Sequence, residues 1–571
     1  MSDFEKKTEN CKKYAKLKKI FLALILFIII SIPAIIPILK YNYYVTADYR
    51  IQIIRAWSMI DSWQSADFLG HWSRFIYRGF GSAMFLFYAP FYFYLFAILY
   101  FCGIQFFYCF KILNIAAFIL SGYSMYYYMN KYTNFISAVC AGIIFMYYPY
   151  HFSELYGSGQ FAEFFMWFLI PPLFHYTFEF FKDSNLNTNN SFKFIAVFAL
   201  FVITHHTSIF ILFPIILIFA IFAGFRNFTA FREFIKSLII SLLISAYFWM
   251  PCLLEKKLTW FGAKPNHNFN DYFVAFSELF NVNFYNTDAL HKPYFINYIA
   301  LFFSVIALIT LIFKKNKNRK IIVLLFLTFI YGLFFSSKLS VDIWTNIKSL
   351  HYLEFPFRFM FVVAFATSAL SAFAVNQLVI KNNFTKFLIV VFFYVSSLFH
   401  LTNHLQALPI EYYDFIAPEF SEKYFGKDKL KFFKYYSSED YLFLPVDFPF
   451  QKFNEPLNNR IEFLTNNSTN KITEYFEYSN RIIFSAQLDK PDTIIIKIPY
   501  FPNWQIYDNR QKVNFTIDEN KFLNFKLNSG TYKIKVKFEH TAIRKFAILL
   551  SIIGLMILLL KLILKFKALL C

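Results

Sequence analysis

A chain of 571 residues with 58% hydrophobic and only 16% charged residues is not a string of soluble domains, which carry roughly 45–50% apolar and about 25% charged residues. A mean hydropathy of +0.45 spread over apolar runs of about 18–22 residues also excludes a lone amphipathic anchor, and 14 Gly with 19 Pro are too few for a fibrous chain. The net charge of +21 does not mark a nucleic-acid binder, because the basic residues gather beside apolar runs, where they act as orientation signals.

Taken in chain order, Lys6, Lys7, Lys12, Lys13, Lys16, Lys18 and Lys19 precede the first run at 20–39. That run lacks a small-residue cleavage site and reads as an uncleaved helix. Further runs lie near 83–103, 107–128, 135–150, 161–181, 193–206, 208–224, 233–252, 293–313, 321–337, 357–379, 386–403 and 545–565. If all thirteen crossed, the basic loop Lys314–Lys320 would lie outside, against the positive-inside rule. The run 83–103 is interrupted by Pro90 and carries Tyr88, Tyr92 and Tyr94, so it is read as a juxtamembrane or dipping element. About twelve spans remain, with both termini cytoplasmic and loops 40–106, 151–160, 253–292, 338–356 and 404–544 outside.

The expected fold class is therefore mainly α: a polytopic helical membrane protein, with a transmembrane module over 1–404, an extracytoplasmic domain over 405–543 and a final transmembrane helix over 544–571. The 405–543 segment holds 18 Lys/Arg and 18 Asp/Glu and no cysteine, so neither a disulfide framework nor a zinc site is expected there. Arg481–Gln487, Thr493–Pro499 and Tyr532–Phe538 suit strands, the last by strict alternation, and predict a small β-sandwich over about 480–540. Residues 405–479 show no clear period.

The outer loops carry the chemistry-bearing side chains. Asp48, Gln52 and Arg55 fall at i, i+4 and i+7, one polar face of a helix that follows the first span. A carboxylate there could act as a general base, could bind a divalent cation (Mg2+ or Mn2+, with Glu154 as the second ligand), or could simply begin a surface helix. His71, Arg74 and Arg78 precede Gly79-Phe-Gly81; such arginines suit a phosphate, or equally anchor lipid headgroups. The second outer loop places His151, Glu154, Tyr156, Gly157, Gly159, Gln160 and Glu163 within thirteen residues. His205 and His206 sit at an outer helix end. Glu255 follows Trp249-Met-Pro251, and Arg358 lies in Glu354-Phe-Pro-Phe-Arg358, where a charge at membrane depth calls for a partner or a polar cavity.

In their order, these blocks resemble a GT-C superfamily glycosyltransferase. More narrowly, the chain is similar to the bacterial membrane proteins carrying the 6-pyruvoyl-tetrahydropterin synthase-related domain and to YfhO-like proteins. The resemblance rests on Asp48 with Arg55, Gly79-Phe-Gly81 through Phe87-Tyr-Ala-Pro90, Tyr148-Pro-Tyr150 with Glu154-Leu-Tyr156, Gly159 and Ala162-Glu163, Thr204-His205-His206, Trp249-x-Pro251 with Glu255, Phe355-Pro-Phe-Arg358 and Phe501-Pro-Asn-Trp504. Ser158 stands where relatives would have an arginine, and Gln52 where they tend to have histidine. The pterin label implies no pterin chemistry.

The resemblance implies an inverting enzyme of the bacterial inner membrane that moves a sugar from a polyprenyl-phosphate donor to an extracytoplasmic glycan, lipid or protein. In that scheme Asp48 and Glu154 are the catalytic candidates. Arg55, His71, Arg74, Arg78, Tyr156, Glu163, His205, His206, Glu255 and Arg358 are candidates for binding substrate or phosphate. A carrier-charging enzyme, a flippase and membrane lipids are the expected partners, and nucleic acid is not. The alternatives are a transporter or flippase of lipid-linked sugars, and a non-catalytic protein whose outer domain binds glycan.

Overall fold

The computed structural model describes residues 3–40, 46–181, 188–225, 227–263, 268–275, 297–313, 318–378, 382–407, 441–465 and 469–570. The chain begins with helix α1 (Asp3–Lys40), followed by α2 (Tyr49–Gln64), α3 (Phe91–Phe101) and α4 (Phe106–Met129). Next come α5 (Phe135–Met146), α6 (Pro149–Phe152), α7 (Phe161–Met166), α8 (Ile170–Phe180), α9 (Thr188–Thr204) and α10 (His206–Gly224). Then follow α11 (Phe228–Ile244), α12 (Ala246–Glu255), α13 (Trp260–Ala263), α14 (Tyr298–Phe313), α15 (Arg319–Ser336) and α16 (Val341–Asn346). The helical part closes with α17 (Met360–Gln377) and α18 (Asn383–Ala407), and α19 (Ala542–Leu570) ends the chain.

Among the described residues, five helical segments are long and apolar enough to cross a membrane: Lys18–Lys40, Phe106–Met129, Arg319–Ser336, Pro356–Gln377 and Ala542–Lys565. Counting each of two bent pairs as one span raises the number to seven, short of the twelve expected from apolar runs. Sequence hydropathy sees apolar residues but not helix breaks. The run 135–150 bends by 45° where Pro149 starts a new helix, and the run 233–252 bends by 76° between α11 and α12. The run 161–181 is split by Pro171 and Pro172 at the start of α8. Five further apolar helices have only 10–17 residues, against the roughly 20 a straight span needs. In the run 83–103, a short turn at Met84–Leu86 leads through Pro90 into α3, whose eleven residues rise only about 16 Å.

Helix α17 is the axis of the helical part. Its span is 94% buried, and its Ala364, Ala366, Ala369, Ala372 and Ala374 let α5, α14 and α15 pack closely around it. The lipid-facing character of α19 is the opposite: only 17% of its span is buried.

The polar region forms two antiparallel sheets from nine strands: β1 (Ile461–Phe463), β2 (Lys471–Tyr478), β3 (Arg481–Leu488), β4 (Asp492–Ile496), β5 (Trp504–Asp508), β6 (Gln511–Val513), β7 (Thr516–Ile517), β8 (Leu523–Leu527) and β9 (Gly530–Phe538). One sheet has the order β1-β4-β8-β7 and the other β2-β3-β9-β5-β6, so β1 and β2 are both edge strands. In β9, Ile534, Val536 and Phe538 are buried while Lys533 and Lys535 are exposed, the alternation its sequence predicts. The sheets begin at Ile461 rather than near 480. The early strands escaped notice because β1 has three residues, and β2 is mostly exposed and interrupted by a bulge between Ile472 and Glu474. Residues 408–440 of the expected domain, and 276–292 of the loop 253–292, lie outside the described residues.

The segment between α1 and α3, the first outer loop of the sequence-based topology, is the platform on which the sheets sit. The Ser479 N–H donates to Ser65 Oγ (3.0 Å), and the Ser479 hydroxyl donates to the Trp72 carbonyl (2.6 Å). Arg481 donates to the Ser65 carbonyl (2.8 Å), and the Trp72 ring meets Trp504 edge-on at 5.0 Å.

Candidate functional site

The site is built where that segment and the turn between α6 and α7, the second outer loop of the same topology, are laced together. The Ala47 and Asp48 backbone N–H groups donate to the Gly157 and Ser158 carbonyls, each at 2.9 Å. Between α6 and α7 the chain takes a π-helical turn, Ser153–Ser158, which ends at Gly159 in the left-handed conformation (φ 72°). A Cβ at Gly159 would lie 2.0 Å from Thr46 Oγ1, so the two loops can approach this closely only at a glycine. The Asp48 carboxylate accepts a hydrogen bond from the Gln160 side-chain amide. It stands at the N-cap of α2 but makes no side-chain capping bond to that helix.

Glu163 stands on α7, three residues after Gln160. Its Oε1 accepts from Tyr150 (3.0 Å), and its Oε2 faces Arg358 Nε at 3.4 Å and His205 Nε2 at 3.7 Å. Arg358 also donates to the Leu353 carbonyl (2.5 Å) and approaches Glu354 at 3.8 Å. This is the partner its depth in the membrane called for. Glu154, 2% exposed, feels the charges of Glu163, Arg358 and Asp48. His206 packs against Phe248 with ring centroids 5.6 Å apart. Glu163, Glu354 and Glu154 thus all act on the one guanidinium of Arg358, with Asp48 acting on Glu154.

Several polar atoms of this group are buried without a hydrogen-bond partner: both side-chain amide atoms of Gln52, Glu154 Oε2 and His206 Nδ1. Buried polar groups in folded proteins are nearly always paired, and leaving one unpaired costs about 1–3 kcal/mol. Such atoms gathered beside charged groups mark a place prepared for a polar ligand. Among the described residues no three His, Cys, Asp or Glu side chains are grouped to hold a metal ion, so the cation considered for Asp48 and Glu154 has two candidate ligands and no assembled set.

The other sequence-predicted residues make the following contacts. Arg55 lies over the Tyr88 ring at 3.9 Å. The Tyr156 hydroxyl donates to the Ala34 carbonyl, fastening the second loop to α1. The Arg78 carbonyl accepts from the Leu457 N–H (3.0 Å) and so faces the sheets. Arg74 makes a two-point contact with Asp61 (2.6 and 3.0 Å) and donates to the Glu477 carbonyl (2.7 Å). Burial pushes the Asp61 carboxyl up, with Arg74 opposing. His71 meets His540, Nδ1 to Nδ1, at 3.1 Å. Glu255 is tied to α19 by Arg544 Nε (2.8 Å) and the Thr541 hydroxyl (2.6 Å).

Sequence reasoning did not single out Gln160 or Tyr150 as site residues, although both stand in the motif-bearing second loop. Asp61, Arg460 and Arg544 carry no local signal; only their distant partners give them a role.

A family model described as "6-pyruvoyl-tetrahydropterin synthase related domain; membrane protein" matches residues 85–404, more than half of the chain. The match includes Glu154, Glu163, His205, His206, Glu255 and Arg358; Asp48 and the sheets lie outside it. No curated protein matches the chain.

Proposed function

The chain belongs to the 6-pyruvoyl-tetrahydropterin synthase related family of membrane proteins, and from its site we propose an integral membrane glycosyltransferase using a polyprenyl-phosphate sugar. The acceptor is an extracytoplasmic glycan, lipid or protein. The observation that carries this reading is the set of unpartnered buried atoms on Gln52, Glu154 and His206 beside Asp48, Glu163 and Arg358. A sugar offers hydroxyls to such atoms, and its phosphate offers charge to a guanidinium. A long isoprenoid stays in the bilayer while its phosphate remains at the interface, so a site between the first two outer loops is where donor and aqueous acceptor can meet.

In this reading Asp48 accepts the proton of the acceptor hydroxyl as that oxygen bonds to the anomeric carbon. The carbon–oxygen bond to the carrier phosphate breaks on the opposite face, and the phosphate leaves with the bonding pair. Gln160 orients Asp48. Glu163 and Tyr150 hold Arg358 in place for the departing phosphate. The Asp48→Asn variant, verified for expression and membrane insertion, should lower glycan modification by about 10²–10⁴, the usual contribution of a general base. Glycan modification at the wild-type level in Asp48→Asn cells would remove the essential carboxylate and the mechanism with it.

The 45° break between α5 and α6 supports a second reading, movement of lipid-linked sugar across the membrane, since transporters place broken helices at their sites. Reconstituted vesicles that flip a lipid-linked sugar without transferring it would select that reading.

A further inference from the structure

A separate space lies apart from the loop junction, between the sheets and the first outer loop. This cavity of about 620 Å³ is lined by Arg74 and Gly79 from the loop and by the two edge strands with the segment before β1. Its volume falls within the range of about 300–1,000 Å³ typical of ligand sites.

Three properties of its lining define what fits. First, it carries aromatic rings in water: Tyr475 is 43% and Phe476 56% exposed, and Tyr478 joins them. Exposed rings of this size on an edge strand are costly unless something covers them. Second, the exposed side-chain amides of Asn458 and Asn459 offer donors and acceptors together. Third, its charges are cancelled within the protein. Arg74 is spanned by Asp61, and Arg460 holds Glu477 at 2.7 and 2.9 Å. Arg460 spends its remaining donors on the Gly79, Phe80 and Lys497 carbonyls, and Tyr475 donates to the other oxygen of Glu477 (2.6 Å). Two guanidiniums and two carboxylates sum to zero, so among the described residues the cavity offers no free cation to a phosphate or an acidic chain.

We propose that this cleft binds an uncharged oligosaccharide. Sugar rings present flat C–H faces that stack on Phe476 (Tyr475, the preceding strand position, turns to the other face of β2), and a rim of hydroxyls that pairs with the asparagine amides. An extended peptide pairing with the β2 edge is less suited, because Arg74 already occupies the Glu477 carbonyl on that edge. The cleft is separate from the Asp48 group, and its role stands whether or not transfer takes place there.

The test is binding to the full-length protein in detergent, by calorimetry, with neutral oligomers of glucose, mannose and N-acetylglucosamine. Heparin-derived oligosaccharide, inorganic phosphate and an extended peptide library serve as comparisons. At least one neutral series should bind, and Phe476→Ala and Asn459→Ala should each weaken it tenfold or more; both residues are exposed, so the fold is retained. Failure of all three neutral series, wild-type binding by Phe476→Ala, or preference for the sulfated chain or a peptide would overturn the proposal. The readout is binding rather than turnover, so loss of transfer in Asp48→Asn bears only on the transferase reading.

Discussion

At the residue scale, the junction of the two outer loops depends on one missing side chain. Gly159 has a positive φ and sits where a Cβ would overlap the Thr46 hydroxyl. Gly103 also has a positive φ (90°), but nothing lies within 4 Å of its Cβ position. The two glycines therefore separate backbone strain from steric overlap. Gly103→Ala pays only the conformational cost, whereas Gly159→Ala adds a clash that parts Thr46 from the π turn. The Gly159 variant is expected to lose about 1–3 kcal/mol beyond that of Gly103→Ala, read as a lower unfolding temperature in detergent. Equal losses in the two variants would show that the loops are not held by this contact. Residue chemistry in the sequence shows Glu255 and Arg74 only as isolated charges; the fold sets Arg544 and Asp61, 289 and 13 residues away, beside them.

At the element scale, the sheets and the first outer loop meet through a seam that contains two facing imidazoles. His71 is held below the ordinary imidazole value by burial, then by His540 and Arg544. His540 is held down by burial, then by Arg544, Lys537 and Lys545, with Glu539 opposing. A histidine whose folded value is depressed stabilises the fold fully above its unfolded value, about 6.5, and that contribution is lost as the pH falls below it. Asp67, which accepts the His71 backbone N–H (3.2 Å), is pushed up to about 6 by burial and acts in the other direction. Its unfavourable contribution is present above about pH 6 and fades only as the pH falls toward the ordinary aspartate range. Between about pH 7 and 6 Asp67 begins to take up its proton and recovers part of its penalty, but the two histidines lose more over the same interval, so the seam should loosen. Hydrogen exchange in β9 and around Trp72 should quicken, and His540→Gln should flatten the change. Exchange that is constant over this interval, or equally pH-dependent in His540→Gln, would separate the imidazoles from the seam. Below about pH 4.5 a further loss follows as Glu477 protonates. Burial works against that carboxylate, but Arg460, Tyr475 and Arg74 together hold it below the usual glutamate range.

At the scale of the whole molecule, what could be read in advance follows a physical rule. Apolar runs and lysine flanks are local, so the helical membrane class and the family were legible, as was strand β9 from its alternation. Helix breaks, the bulged β2 and pairs such as Asp48–Gln160 or Arg460–Glu477 are set by tertiary packing, and no single stretch of sequence contains them. The site was legible only as an order of motifs; Glu163, Arg358 and His205 became one group on folding. The sidedness behind the proposed chemistry can be argued from α4. Lys111, near its start, donates to the Leu39 carbonyl at the end of α1 (3.3 Å), which places that end of α4 beside the segment leading to Asp48. Twenty-four residues rise about 36 Å, so Lys131, just past the other end, lies a membrane thickness away. Asn459 belongs to the cleft that rests on the first outer loop, on the Asp48 side. With the exposed Cys102 replaced by serine, Asn459→Cys in intact cells should react with a membrane-impermeant maleimide. Lys131→Cys should react only after the cells are opened. Labelling of both from one side would place the cleft and the cytoplasmic loops together, and a donor charged in the cytoplasm would then need no flippase to reach Asp48.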